Sequence, residues 1–255
     1  MISFINRIKS RIFKIPPYGL NLARPMEMDR NWRKGGRSFY FFDFDDNILN
    51  LDTLIYLFHN KTKKELEISS VELAQEGSTI GKSGRFKDFK LDFNDETGSF
   101  RNFRDKGISN IDRFFGKKEN FELDILEVLK KPYGEWMGPS WNFFYHATYN
   151  KRPISIITAR GHDPKTIARG LNILYQKGFI AKKPNLLCIF PASNKDTRKF
   201  FNDPDHKLST AEIKKLAIKR SVEMAIKKYC NNPYHRFGMS DDDAKNIELI
   251  TQAMV

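Results

Sequence analysis

The run Ser38-Phe39-Tyr40-Phe41-Phe42-Asp43-Phe44-Asp45-Asp46-Asn47 decides how this chain folds. Four consecutive aromatic residues without polar alternation fit a strand covered on both faces, as strands of parallel sheets are. Three carboxylates follow at once. Placed beyond an apolar strand, they repel one another and resist burial unless a counter-charge meets them. Oxygen-only ligands point to a hard divalent cation, and to Mg²⁺ first. The two-residue period of a strand puts Asp43 and Asp45 on the same side. Asp-x-Asp-x-Asn also begins a calcium-binding EF-hand loop, but that loop needs Gly at its sixth position and Glu at its twelfth. Here those positions are Ile48 and Leu54. The calcium reading fails.

Working outward, strands and helices alternate. Pro153 to Thr158 is a second apolar strand, followed by a helix from about Pro164 to Gln176 that stops at Gly178. Leu186 to Phe190 is a third strand. A long helix runs from Thr210 to Tyr229, capped by Ser209 or Thr210, with Glu212 in its first turn. Arg236 to Ser240 is a fourth strand and Ala244 to Ala253 a closing helix. This alternation predicts an α/β fold, a three-layer sandwich with a mainly parallel sheet between helices. An insertion at about 51–135 interrupts it. Leu54 to His59 and Glu65 to Ser69 read as a hairpin across Asn60-Lys61-Thr62. Further on, Ser70 to Gln75 reads as a helical turn, Phe89 to Phe93 as a short strand, and Phe121 to Leu129 as a helix. A last helix around Trp141 to Tyr149 leads into the second strand.

Ligands of open parallel sheets bind at the carboxyl ends of the strands. The second strand ends in Thr158-Ala159-Arg160-Gly161, a hydroxyl and backbone N–H groups suited to a phosphoryl oxygen. The last strand ends in Ser240-Asp241-Asp242-Asp243, with Asn246 beyond. Taken singly, the Thr is commonplace and Asp243 suits a helix cap. Two acidic clusters after two core strands, with a Thr-ended strand between them, form a far more specific pattern than any one member.

These elements resemble the haloacid dehalogenase superfamily of phosphatases over roughly Ser38 to Val255, the segment 1–37 standing apart. The resemblance implies a Rossmann-like fold in which the hairpin is the flap and the rest of the insertion a small, atypical cap. It implies Asp43 as a nucleophile forming an aspartyl-phosphate, and Asp45 as general acid and base. It implies Thr158 as a phosphoryl ligand. Asp43, Asp241, Asp242 and the Asp45 carbonyl would hold Mg²⁺. A lysine should come from the helix before the last strand: Lys219 has the better spacing to Asp241, while Lys215 lies nearer the helix start. Asn47 departs from the family's usual Thr or Val. The presence of Asp45, absent from dehalogenases and replaced in P-type ATPases, favours phosphate-ester hydrolysis over either chemistry. The expected activity is a phosphomonoesterase acting on a phosphorylated metabolite or nucleotide. The alternatives are a polynucleotide-end phosphatase and a non-catalytic scaffold of the same fold binding anionic partners.

Composition sets the outer bounds. The chain has 255 residues, enough for one core with an insertion. Its 44 Lys and Arg against 31 Asp and Glu give +13, and nine basic against two acidic residues put +7 of that in 1–37. The catalytic body is therefore only mildly basic. Met1, Ile5, Ile8, Ile12 and Ile15 form one stripe of an amphipathic helix lined by Arg7, Arg11 and Lys14. Such a helix fits peripheral contact with an anionic membrane, packing on the protein's own body, or organelle targeting. No run approaches the roughly 20 apolar residues of a spanning helix. Cys188 and Cys230 both read as buried, so a reducing cytoplasm is expected. Lys182, Lys183, Lys195, Arg198 and Lys199 are either a nucleic-acid contact or a solvated surface. Phe100, Phe103 and Trp141 are candidates for base stacking, and His162 sits just past Thr158.

Overall fold

The aromatic run forms β1 (Ser38–Phe42), and its side chains divide between the two faces of a sheet. Phe39 and Phe41 enter one apolar cluster, with Ile157, Phe190, Ala217, Ile218 and Ala225. Phe42 enters the other, larger one, with Ile154, Ile156, Trp136, Trp141 and Phe144. A strand covered on both faces has no use for alternation, which explains the unbroken run. In the computed structural model, residues 25–241 are described. The expected helix over residues 1–15, Asp242, Asp243 and the closing helix over 244–253 lie outside the described residues.

The remaining strands are β2 (Ile55–His59), β3 (Glu65–Ile68), β4 (Phe89–Lys90), β5 (Pro153–Thr158), β6 (Asn185–Pro191) and β7 (Arg236–Ser240). They form an α/β protein with two sheets. The four-stranded one has the order β6-β5-β1-β7, with every pairing parallel. The separate three-stranded sheet is antiparallel, in the order β3-β2-β4. In the large sheet the chain moves from β1 to β5 and β6 on one side, then crosses to β7 on the other. The switch in direction therefore lies beside β1, the place where such sheets hold ligands.

Helices cover the sheet for reasons visible in their sequences. The Pro164–Gln176 helix starts with Asp163 accepting from the Lys165 N–H and Pro at its first position, and it buries Ile167, Leu171 and Leu174. Gly170 sits where a Cβ would meet the Phe121 ring at 2.5 Å, so the Asn120–Val128 helix packs closely there. The Thr210–Tyr229 helix opens with a capping box between Ser209 and Glu212 and buries Ile213, Lys214, Ala217, Ile218, Ser221 and Ala225. Ser69 and Glu72 form another capping box at the Ser70–Glu76 helix.

Within the insertion, the hairpin pairs Ile55 with Ile68 and Phe58 with Glu65. Ile55, Leu57, Ile68 and Phe86 make a small core of their own. The expected strand at Phe89 to Phe93 shortens to Phe89–Lys90, because Ser99 and Asn94 take the hydrogen bonds of the following loop. Two short helices lack a clear periodic signal: Tyr133–Trp136, and Lys195–Phe200, capped by Asn194. Trp141, a stacking candidate in the sequence, is fully buried against Trp136 and Phe144 and presents no face to a ligand. The cysteine reading also needs correction. Cys188 is only half-buried and Cys230 is exposed, since Cys230 ends the long helix with φ of 68° and leaves the core.

One close approach fixes the segment just after the insertion to the acidic turn. A Cβ on Gly138 would lie 2.3 Å from the Asn47 carbonyl oxygen, a backbone atom with no room to retreat. Gly138→Ala is expected to cost about 1–3 kcal/mol in urea unfolding, the usual penalty for overpacking. Gly134→Ala, where a Cβ meets nothing within 4 Å, should leave the unfolding midpoint unchanged or slightly raised.

Candidate functional site

The carboxyl ends of β1 and β7 are tied before any charged group is considered. The Asp43 N–H donates to the Ser240 carbonyl at 2.9 Å. Asn47 then bridges both strand ends: its Nδ2 donates to the carbonyls of Asp43 (3.1 Å) and Ser240 (3.0 Å), and its Oδ1 accepts from the Ser240 hydroxyl (2.9 Å). The turn between is tight. Asp46 has φ of 55°, its N–H reaches the Leu49 carbonyl, and the Ile48 N–H returns to that of Phe44. The departure at Asn47 is thus a structural cross-link between the two acidic segments.

That cross-link brings Asp43 and Asp241 to the same cation. Lys214 Nζ donates to Asp43 Oδ2 at 2.7 Å and to Asp241 Oδ2 at 3.0 Å, with all three residues buried. The other Asp43 oxygen accepts from the Phe44 N–H at 2.7 Å. Burial raises the Asp43 carboxyl from 3.8 to about 7; Lys214 pulls it down, while Asp241 and Asp45 push it up. Burial alone would lower the Lys214 ammonium, but Asp43 and Asp241 outweigh it and hold it above its ordinary value. The lysine that bridges the acidic pair is therefore Lys214, a residue the spacing along the helix did not single out. Lys219 is exposed and Lys215 half-buried. Lys214 shares a helical stripe with Ala217, Ile218 and Ser221, the signal that could have found it.

Asp45 has different partners. The Thr158 hydroxyl donates to its Oδ2 at 3.2 Å, and Arg160 Nε lies 2.9 Å from both carboxylate oxygens, with Nη2 at 2.6 Å from Oδ1. So the structure brings Asp43 together with Asp241, and Asp45 with Thr158, in two adjoining sets. Among the described residues no three His, Cys, Asp or Glu side chains group as a metal centre, and Asp242 lies outside them. The donor set still suits a small hard cation. Asp43 and Asp241 are two buried carboxylates already converging on one positive charge, and Mg²⁺ needs only one or two protein carboxylates when waters and phosphate oxygens complete its shell.

A cleft of about 880 Å³ opens between the insertion (Tyr56, Arg101, Arg104) and the loops after β5 and β6 (Gly161, Asn194, Lys195). Neither Asp43 nor Asp45 lines it. The basic cluster of the sequence divides here. Lys195 pairs with Asp95 at 2.8 Å at the cleft, whereas Arg198 is buried against Asp203 and the Leu208 carbonyl. Phe100 and Phe103 are half-buried in the small core of the insertion. His162 is fully buried, with neither ring nitrogen hydrogen-bonded. Burial first, then Arg160 and Arg104, hold its imidazole well below its ordinary 6.5.

No family model, curated protein or solved structure matches this chain. Among the described residues, no helix is long and apolar enough to cross a membrane.

Lys214→Met leaves two buried carboxylates facing each other. It is expected to cost about 3–5 kcal/mol in denaturant unfolding, as breaking buried pairs does, whereas Lys219→Met should stay within about 0.5 kcal/mol as an exposed change. His162 sets an acid limit. Its folded-state pKa is depressed, so below 6.5 the unfolded chain takes up a proton that the folded chain refuses. Stability should fall as pH drops from that value, and His162→Phe should flatten the fall in thermal melts between neutral pH and about pH 5.

Proposed function

We propose that this chain is a magnesium-dependent phosphomonoesterase of the haloacid dehalogenase type, with Asp43 as its nucleophile. The observation that carries the reading is the Lys214 ammonium joining the carboxylates of Asp43 and Asp241. A carboxylate that must attack a phosphorus atom needs neutralising charge beside it, because the phosphoryl group is itself anionic. The finer fold description belongs to the same reading: a Rossmann-like sandwich in which β2 and β3 are the flap and the rest of the insertion a small cap. Its two unpaired cysteines suit a reducing cytoplasm.

In the first step an Asp43 carboxylate oxygen bonds to phosphorus as the bond from phosphorus to the ester oxygen breaks. Asp45 gives the departing alcohol its proton. In the second step a water oxygen bonds to phosphorus and the Asp43–phosphorus bond breaks, while the now ionised Asp45 takes the water's proton. Inorganic phosphate leaves and Asp43 is restored. Lys214 keeps the Asp43 charge balanced through both steps. Thr158 would hold a phosphoryl oxygen, as the family resemblance implies, after its hydroxyl turns from Asp45. A Mg²⁺ ion held by Asp43 and Asp241, and by Asp242 and the Asp45 carbonyl as the family resemblance implies, would neutralise the phosphoryl oxygens. On this reading the alcohol portion of a phosphorylated metabolite or nucleotide would extend toward the cleft lined by Gly161. Trp141 is buried and Arg198 is internally paired, so two features that favoured polynucleotide ends are spent inside the protein.

The test is release of p-nitrophenol from p-nitrophenyl phosphate. It should require Mg²⁺, stop on addition of EDTA, and fall to background in Asp43→Asn. Turnover surviving in Asp43→Asn, or none in the wild type with Mg²⁺, rules the reading out.

A further inference from the structure

Arg160 is the most heavily engaged charged residue near the site, and the reaction just described gives it no task. Its side chain is 1% exposed. Nε and Nη2 grip Asp45, and Nη2 also donates to the Thr53 hydroxyl at 2.7 Å. Thr53 in turn donates to Asp124 Oδ2 at 2.5 Å. The guanidinium carbon lies 4.7 Å from the Phe103 ring centroid and 4.9 Å from that of Phe121, a sandwich that restricts the plane in which it can hydrogen-bond. Nη1 is buried without a partner. A cation supported from so many directions is held in one orientation.

The supports come from the insertion, while Arg160 itself follows β5. Thr53, Phe103, Phe121 and Asp124 all precede β5, and the same segment docks directly on the loop that carries Arg160. The Gly161 N–H donates to the Phe103 carbonyl at 3.0 Å, and the Asp163 N–H to Asp105 Oδ2 at 2.7 Å. The Arg104 side chain lies against Gly161, where a Cβ would meet its Nη1 at 2.1 Å. By contrast, Asp43 takes its charge partner from the Thr210–Tyr229 helix. The two carboxylates of the motif are thus held by separate parts of the chain.

We propose that Arg160 is the positioning residue of Asp45, and that the inserted segment, through Thr53, Phe103 and Phe121, sets the geometry in which Asp45 hands over and takes back its proton. This rests on the phosphatase reading and deepens it. The placing of Asp43 for attack does not pass through Arg160; the proton transfers do. When Arg160 is lost, phosphoryl transfer to Asp43 continues for an ester whose alcohol leaves as a stable anion. It slows for an alkyl ester, whose alkoxide needs the proton. Cleavage of the aspartyl-phosphate by water slows for both, since water must lose its proton to Asp45.

The experiment compares p-nitrophenyl phosphate with glycerol phosphate in wild type, Arg160→Gln, Arg160→Lys and Phe103→Ala, each checked for folding by circular dichroism. In Arg160→Gln, rapid mixing with p-nitrophenyl phosphate should give a first-turnover burst approaching one p-nitrophenol per site. A steady state about a hundredfold below wild type should follow, at the lower end of what positioned acid–base groups contribute. Glycerol phosphate should show no burst. Arg160→Lys should recover part of the rate, and Phe103→Ala should lower the steady-state rate without removing the burst. Equal loss of burst and steady state in folded Arg160→Gln would show that Arg160 serves attack or phosphate binding, and overturn the proposal. So would unchanged kinetics on both esters. If Arg160→Gln does not fold, Phe103→Ala decides, and an unchanged steady-state rate or a burst lost in step with it overturns the proposal. Wild-type protein without Asp43-dependent turnover removes the underlying reading as well, an outcome distinct from active wild type with indifferent variants.

Discussion

Two carboxylates from different strands are held at one buried ammonium, and the rest of the centre is arranged around that constraint. Asp43 and Asp241 would not stay together inside the protein unaided, because their mutual repulsion grows as water is removed. Lys214 makes the arrangement affordable only because its own charge is stabilised by both. The Asn47 side chain does the complementary mechanical work, locking the two strand ends at hydrogen-bond distance before the charges meet. Charge balance and backbone fastening therefore act on the same few residues.

The second feature is the division of labour around the motif. Asp43 answers to the Thr210–Tyr229 helix, and Asp45 answers to the loop after β5 and, through Arg160, to the insertion. Two acidic groups two residues apart thus sit in different electrostatic settings, one beside an ammonium and a like charge, the other beside a guanidinium and a hydroxyl. Separate environments for paired carboxylates are how a site assigns them separate roles. The cleft is lined by Gly161, the neighbour of Arg160 along the chain, and by neither carboxylate of the motif.

The antiparallel sheet has its own small core around Ile55, Leu57, Ile68 and Phe86, yet its downstream segment contributes buried contacts to the parallel sheet's loops. Its hydrogen bonds to the Gly161–Asp163 backbone and the Lys195–Asp95 pair hold it over the strand ends. An insertion attached this way is part of the site's framework.

The parallel sheet, its four strands and the long capped helix were legible in the chain because each rests on local rules: unbroken apolar runs, helical stripes, Ser209 with Glu212. The acidic clusters at two strand ends were legible for the same reason. What needed the tertiary structure was every choice between equivalent side chains. Lys214, Lys215 and Lys219 are chemically alike, and only the rotation of the helix against β5 and β6 decides which one reaches Asp43. Arg160 looked like any residue of a turn until Phe103 and Thr53, more than fifty positions away in sequence, closed around it. Asn47 looked like a deviation, and became a cross-link once Ser240 lay beside it. Local propensity is set by neighbours along the chain; the partners of a buried charge are set by which elements pack together, and that information is spread over the whole sequence.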